Sequence, residues 1–186
     1  LSLVLGIGGG LYFGLHHRFR AILEPFFQTF SPLPPTLFVP YAIALFPSFK
    51  SASIFILFIA TFWPIFLGTI QGVLLIDKPY WDNAKTIGLK GKDLFLKMIL
   101  PASLPLILNG VGTSLAFAFI VLIMVEMFGA ESGMGRFIQY YTDFTQYDLV
   151  LAGIIFNSIV ILITMIVFEK IKKRLLFWTN LKNEAN

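Results

Sequence analysis

The sequence contains no cysteine, which excludes disulfides and thiolate metal sites. It has two histidines, the neighbours His16 and His17, whose side chains would point apart on a helix. No other histidine could complete a metal site with them, so no metal ligands are assigned. Charge is also scarce. Asp, Glu, Lys and Arg make up 13% of the 186 residues, against about 25% in soluble domains. With 57% apolar residues and a mean hydropathy of +0.82, the chain belongs in a bilayer. No phosphate-binding motif is present. The glycine-rich stretch GIGGGLYFG near the start does not satisfy G-x-G-x-x-G, and no Lys-Ser/Thr follows it. Nor do clustered histidines or paired acids mark a catalytic centre, since Asp143 and Asp148 stand without partners. No catalytic residue and no cofactor of the chain's own are assigned, which sets aside an integral-membrane enzyme.

What is present is a succession of apolar runs. The first, 1–15, opens without methionine or a basic flank and reads as the second half of a spanning helix. Gly6, Gly10 and Gly14 recur at four-residue spacing within it, a smooth ridge suited to close helix packing in lipid. Residues 22–46 are apolar but broken by Pro25, Pro32, Pro34, Pro35 and Pro40, leaving 33–46 as a short span. Proline-interrupted membrane segments often lie beside a translocation path, because their freed carbonyls must face protein or water. Further spans follow at 52–76, 104–128 and 149–168. Pro64 is expected to kink the first of these, with Thr61 close enough to help satisfy the backbone. The fold class is therefore all-α integral membrane, a helical bundle of about five spanning segments with the first one truncated. Residues 1–178 form one domain, and 179–186 are a polar tail.

Between the spans 52–76 and 104–128 lies a polar loop, 77–103, that is itself patterned as helix. Tyr80, Ala84 and Ile87 fall at i, i+4, i+7 on one face. Gly88 and Gly91 interrupt that helix, and a second amphipathic piece places Leu94, Phe95 and Met98 together before Pro101 and Pro105 close it. Asp82-Asn83-Ala84, three residues, Gly88, nine residues, Met98, one residue, Leu100-Pro101 resembles the signature loop of ABC-importer permeases, E-A-A-x3-G-x9-I-x-L-P. Ala84, Gly88, Leu100 and Pro101 are identities, Asp82 replaces Glu conservatively, and Asn83 and Met98 depart. The resemblance extends to SPLPPTLFVPYAIALF and VEMFGAESGMGRFI, which are similar to the nitrate/sulfonate/taurine-type permeases. The external loop 47–50 lacks the glycine-rich, acidic character common in that subfamily.

The resemblance implies a type I importer permease fold and a homodimer with a second permease subunit. It also implies separate cytoplasmic ATPase subunits that bind the ATP, and an extracytoplasmic solute-binding protein. The importer's solute would be a nitrate-, sulfonate- or taurine-like anion, bicarbonate, or a thiamine-precursor-like molecule. The coupling role carries over to Asp82, Asn83, Ala84, Gly88, Met98, Leu100 and Pro101.

Charge distribution gives the orientation. Of the fourteen Lys/Arg, only Lys50 and Arg136 fall in the loops 47–51 and 129–148; the others flank the opposite ends of the spans. This positive-inside bias places 77–103 and the C-terminus in the cytoplasm of a plasma-membrane protein, and the net charge of +4 reflects topology rather than nucleic-acid binding. Asn109, Thr113 and Ser114 sit in the first half of the span 104–128, where they either hydrogen-bond a neighbouring helix or line a pathway. Glu126, near the end of that span, is the acid within the apolar runs proper and reads as a structural or gate-lining group. The competing class is a stand-alone secondary transporter or channel, which predicts ionisable groups at mid-bilayer or a symmetric pair of broken helices.

Overall fold

The computed structural model describes residues 1–178, so the polar tail 179–186 lies outside the described residues. All regular structure within them is helical. Two helices form the centre: α4, Phe49–Leu74, and α7, Leu100–Gly129, which share the most extensive contact in the molecule. Small residues set their separation. A methyl group added at Gly110 would come within 2.6 Å of the Pro64 carbonyl oxygen, so the backbones touch where no side chain intervenes.

Against α4 packs α1, Ser2–Leu15, through the glycine ridge read from the sequence. A Cβ at Gly10 would lie 2.5 Å from the Thr69 Cβ and 2.8 Å from the Phe66 oxygen. At His16 the chain turns into α2, His17–Phe30, which was not legible as a helix behind its prolines; Pro25 is carried inside it. Beyond the proline knot come a 3₁₀ turn, Pro35–Phe38, and α3, Val39–Leu45. Val39 and Ala42 join Ala52, Ile56, Ala60, Val121 and Val125 in a buried cluster at one end of the central pair.

Three helices are long and apolar enough to cross a membrane: Phe49–Leu74, Gly91–Gly129 and Tyr147–Leu175, the last being α9. The runs at 1–15 and 33–46 give shorter apolar helices, Ser2–Leu15 and Pro35–Leu45. The start of α4 is fixed by a reciprocal cap, in which the Ser51 N–H donates to Ser48 Oγ and the Ser48 N–H to Ser51 Oγ, both at 3.3 Å. Thr61 does not serve the carbonyl that Pro64 frees. That carbonyl belongs to Ala60, whereas the Thr61 hydroxyl is 2.7 Å from the Leu57 oxygen and 2.7 Å from Ser2 Oγ of α1.

The expected stop at Pro101 and Pro105 does not occur. The helix runs unbroken from Gly91 to Gly129. Residues Gly91–Leu94 form α6, and Phe95–Ile99 wind as a π turn, with the Leu100 N–H reaching back to the Phe95 oxygen. Pro101, which has no N–H to continue the ladder, follows directly on this wider turn.

Candidate coupling loop and solute pathway

The loop 77–103 folds as α5, Lys78–Thr86, a glycine turn, and the α6–π segment that leads into α7. Its turn has a specific geometry. The Leu89 N–H donates to the Ala84 oxygen at 2.9 Å and the Gly88 N–H to the Lys85 oxygen at 3.0 Å. This is a Schellman cap with Gly88 in its left-handed position, at φ +72°. A Cβ at Gly88 would meet nothing within 4 Å. The need for glycine there is conformational rather than steric.

Behind the turn lies a core. Ala84, Met98 and Ile99 of the loop are buried with Leu11 of α1, Val73 and Ile76 at the end of α4, and Ile107 of α7. Trp81, Leu89, Leu94, Phe95 and Leu100 pack around them. The two halves of the loop are thereby fastened to three bundle helices at once.

The expected face Tyr80–Ala84–Ile87 is divided. Ala84 is 2% exposed, while Tyr80 and Ile87 are 45% and 71% exposed. Buried contact is made through Trp81 and Ala84, which turns Tyr80, Asp82, Asn83 and Ile87 outward. In the second half the expected face holds, with Met98 buried and Leu94 and Phe95 packed beside it. Lys97 and Asp93 pair on the outside at 2.8 Å, both well exposed. Among the motif positions, then, Ala84, Met98 and Leu100 tie the loop to the bundle and Gly88 shapes the turn. Pro101 enters α7, and Asp82 and Asn83 present a polar surface.

The four residues considered for a pathway separate. Ser114 is buried, and its hydroxyl donates to the Val111 oxygen at 2.9 Å within its own helix. Thr113 Oγ1 likewise donates to the Asn109 oxygen at 3.1 Å, and Asn109 itself is exposed. Thr113 also lines a cleft of about 340 Å³ with Ser31, Pro32 and Pro35 of the proline knot and with Trp63 and Pro64 of α4.

Glu126 is remote from that cleft. After α7 the chain turns back at Gly133 (φ +134°) into α8, Met134–Asp143, and the Glu126 carboxylate accepts the Gly135 N–H at 2.8 Å. It caps the first turn of α8, where N–H groups lack helical partners and the helix dipole favours negative charge. Gly133 and Gly135 let the turn approach α7 this closely, since a Cβ on Gly133 would strike the Glu126 carboxyl carbon and one on Gly135 the Ile123 oxygen. The aromatic rings of α8 meet edge-on and tilted, with Phe137 and Tyr141 centroids at 4.6 Å and Tyr140 and Phe144 at 4.8 Å. Among the described residues, no group of three or more His, Cys, Asp or Glu could hold a metal ion.

Comparison with known proteins gives the family. The family model for the binding-protein-dependent transport system inner membrane component matches residues 2–177. A putative ABC transporter permease protein of Methanocaldococcus jannaschii is 30% identical over 86% of this chain and 60% of its own length. The nitrate import permease protein of Leptolyngbya laminosa is 30% identical, with the same coverage of both chains. A putative aliphatic sulfonates transport permease protein of Bacillus subtilis is 30% identical over 97% of this chain and 67% of its own length. The chain thus spans about 60% of the length of the first two relatives. A multi-pass bundle built on three long apolar helices, with the spaced loop motif between two of them, fits that match throughout, and the chain belongs to the binding-protein-dependent transport system inner membrane component family.

Proposed function

We propose that the chain is the transmembrane permease subunit of an ATP-driven importer, carrying a small solute into the cytoplasm from an extracytoplasmic binding protein. Energy comes from ATP hydrolysed by separate cytoplasmic ATPase subunits, which grip the loop 77–103, and a second copy of the permease completes the membrane unit. The relatives' names point to an oxyanion as the solute, since two of them specify nitrate and aliphatic sulfonates.

One observation carries this reading: the loop is exposed on one side and cemented on the other. Tyr80 and Ile87 offer apolar groups to a partner's groove, while Ala84, Met98 and Ile99 share a core with α1, α4 and α7. A load applied to the outer face would pass into the three helices through that shared core. ATP-driven closure of two motor subunits would draw two such loops together and switch a pathway between the permeases from inward- to outward-facing. The positive-inside bias supports a cytoplasmic loop and C-terminus.

The test is co-purification. Tyr80→Asp with Ile87→Asp, both on the exposed side, should abolish recovery of the ATPase with the permease and abolish uptake, while the permease still reaches the membrane. Normal recovery and uptake in the double variant would defeat the proposal. Uptake surviving deletion of every ATPase subunit would favour a stand-alone transporter instead.

A further inference from the structure

Helix α2 stands partly off the centre of the bundle. Its ring contacts with α1 and α4 are made by Phe27, whose centroid lies 4.9 Å from Phe66, 5.5 Å from Phe13 and 6.3 Å from Trp63. Beside that contact a furrow runs along α4 in two parts that share Ser31 and Leu67. The part nearer the loop 77–103 has a volume of about 370 Å³ and is bordered by Arg20, Glu24, Gln28 and Gln71. The deeper part has about 340 Å³ and is bordered by Leu33, Ile59, Trp63, Pro64 and Phe117. Thr113 also reaches it, but its hydroxyl is already bonded to the Asn109 oxygen. Polarity therefore falls along the furrow, from two charges and two amides at one end to aliphatic, aromatic and proline groups at the other. From Leu74 to Ile59, α4 accompanies it over about 22 Å at 1.5 Å per residue. That is the depth of one leaflet with its headgroups, half of the roughly 40–45 Å of a whole bilayer. Arg20 and Glu24 stand one helical turn apart, yet among the described residues neither takes part in an ion pair.

We propose that this furrow is a phospholipid site of the inner leaflet, selective for phosphatidylethanolamine. The inference rests on the cytoplasmic placement of 16–20 and 77–103, and it is independent of which solute is carried. A phospholipid is a molecule whose own polarity falls over the same length. Its phosphate is taken by the Arg20 guanidinium, a fork of donors, and its ammonium donates to the Glu24 carboxylate. The Gln28 and Gln71 amides supply donors for the ester oxygens below. One acyl chain then passes Leu67 into the deeper part, against Trp63 and Phe117. Phe19, Ile22, Phe26 and Phe30, exposed on the opposite side of α2, face further lipid. Selectivity follows from Glu24. A phosphatidylglycerol headgroup brings it no cation, and a phosphatidylcholine headgroup brings a cation with no N–H to donate. Bound there, the lipid closes the gap beside Phe27 and steadies α2 against the central pair.

The test is a lipid titration of the complete transporter, stripped of lipid in mild detergent. Dioleoyl phosphatidylethanolamine, phosphatidylglycerol and phosphatidylcholine are added one at a time, and the lipid retained per permease is counted by native mass spectrometry. Phosphatidylethanolamine should bind about tenfold more tightly than either of the others, the worth of one charge-assisted hydrogen bond. Glu24→Gln should reduce that preference to about twofold or less. Arg20→Gln should weaken all three lipids, and Leu67→Trp, which fills the junction of the two parts, should abolish retention. Ile22→Trp, on the opposite face, should leave binding as it was. Equal binding of the three lipids, or a preference that survives both Glu24→Gln and Leu67→Trp, would overturn the site. So would disulfide-linked permease pairs on oxidation of Gln28→Cys, in a chain with no other thiol, because they would put a second copy in the furrow. ATP-driven uptake in reconstituted vesicles keeps the two readings apart. Uptake without any headgroup preference in binding removes the lipid site alone, whereas the preference without ATP-dependent uptake removes the importer reading alone.

Discussion

At the scale of single residues, three backbone positions carry testable consequences. Gly88 is required for its left-handed conformation and not for space, since nothing lies within 4 Å of a Cβ there. Gly88→Asn, which tolerates that conformation, should retain most uptake. Gly88→Val, a β-branched residue in the same open space, should lose about 1–2 kcal/mol at the turn and uncouple ATP hydrolysis from uptake. Equal behaviour of the two would show that conformation is not the reason. Thr145 presents the reverse case. It occupies the left-handed position of the cap that ends α8, at φ 59°, with the Gln146 N–H donating to the Tyr141 oxygen at 2.9 Å. Thr145→Gly should therefore stabilise the protein by about 1 kcal/mol, read as a rise in the thermal midpoint in detergent. Glu126 has a structural duty that its place near a span's end did not disclose: its carboxylate caps α8 across a turn of chain. Glu126→Gln keeps an acceptor for the Gly135 N–H, whereas Glu126→Ala removes it and should cost about 1–3 kcal/mol. A thermal midpoint lowered equally by both would place the effect in the charge alone.

At the scale of elements, the closest packing is where the chain has no side chains to give. Gly110→Leu should push α7 from α4, because even a methyl group would meet the Pro64 oxygen at 2.6 Å. The expected result is loss of folded protein in the membrane, measured by recovery after mild solubilisation. Gly8, around which there is open space, should accept leucine without loss. Much of this arrangement was legible beforehand. The apolar runs 52–76, 104–128 and 149–168 gave the three long helices, the spacing of Gly6, Gly10 and Gly14 gave a packing ridge whose partner is α4, and the loop motif gave the glycine turn. Three things were not. Proline reads as a stop, yet Pro101 follows directly on a π turn, and one helix runs from Gly91 to Gly129. Five prolines between 25 and 40 obscured α2, although Arg20, Glu24, Gln28 and Ser31 at helical spacing were the available sign. The inward rotation of α5 depends on the buried cluster that Ala84 joins, which includes Val73, Met98 and Ile107 from elsewhere in the chain; periodicity alone grouped Ala84 with Tyr80 and Ile87.

At the scale of the molecule, the proposed function is that of a gate moved from one end. The loop's inner residues share a core with three helices, α2 follows one of these in the chain, and α8 is latched to α7 by Glu126. Displacement of the loop should thus be felt along the length of α4 and α7 rather than absorbed locally. The central claim is that the loop faces the cytoplasm and is held there by a motor. It is tested most directly by a single cysteine at Ile87, 71% exposed in a chain that has no other thiol. Labelling by an impermeant maleimide should be absent in intact cells, strong in inside-out vesicles stripped of the ATPase, and suppressed when the ATPase is added back. Labelling in intact cells would contradict the account.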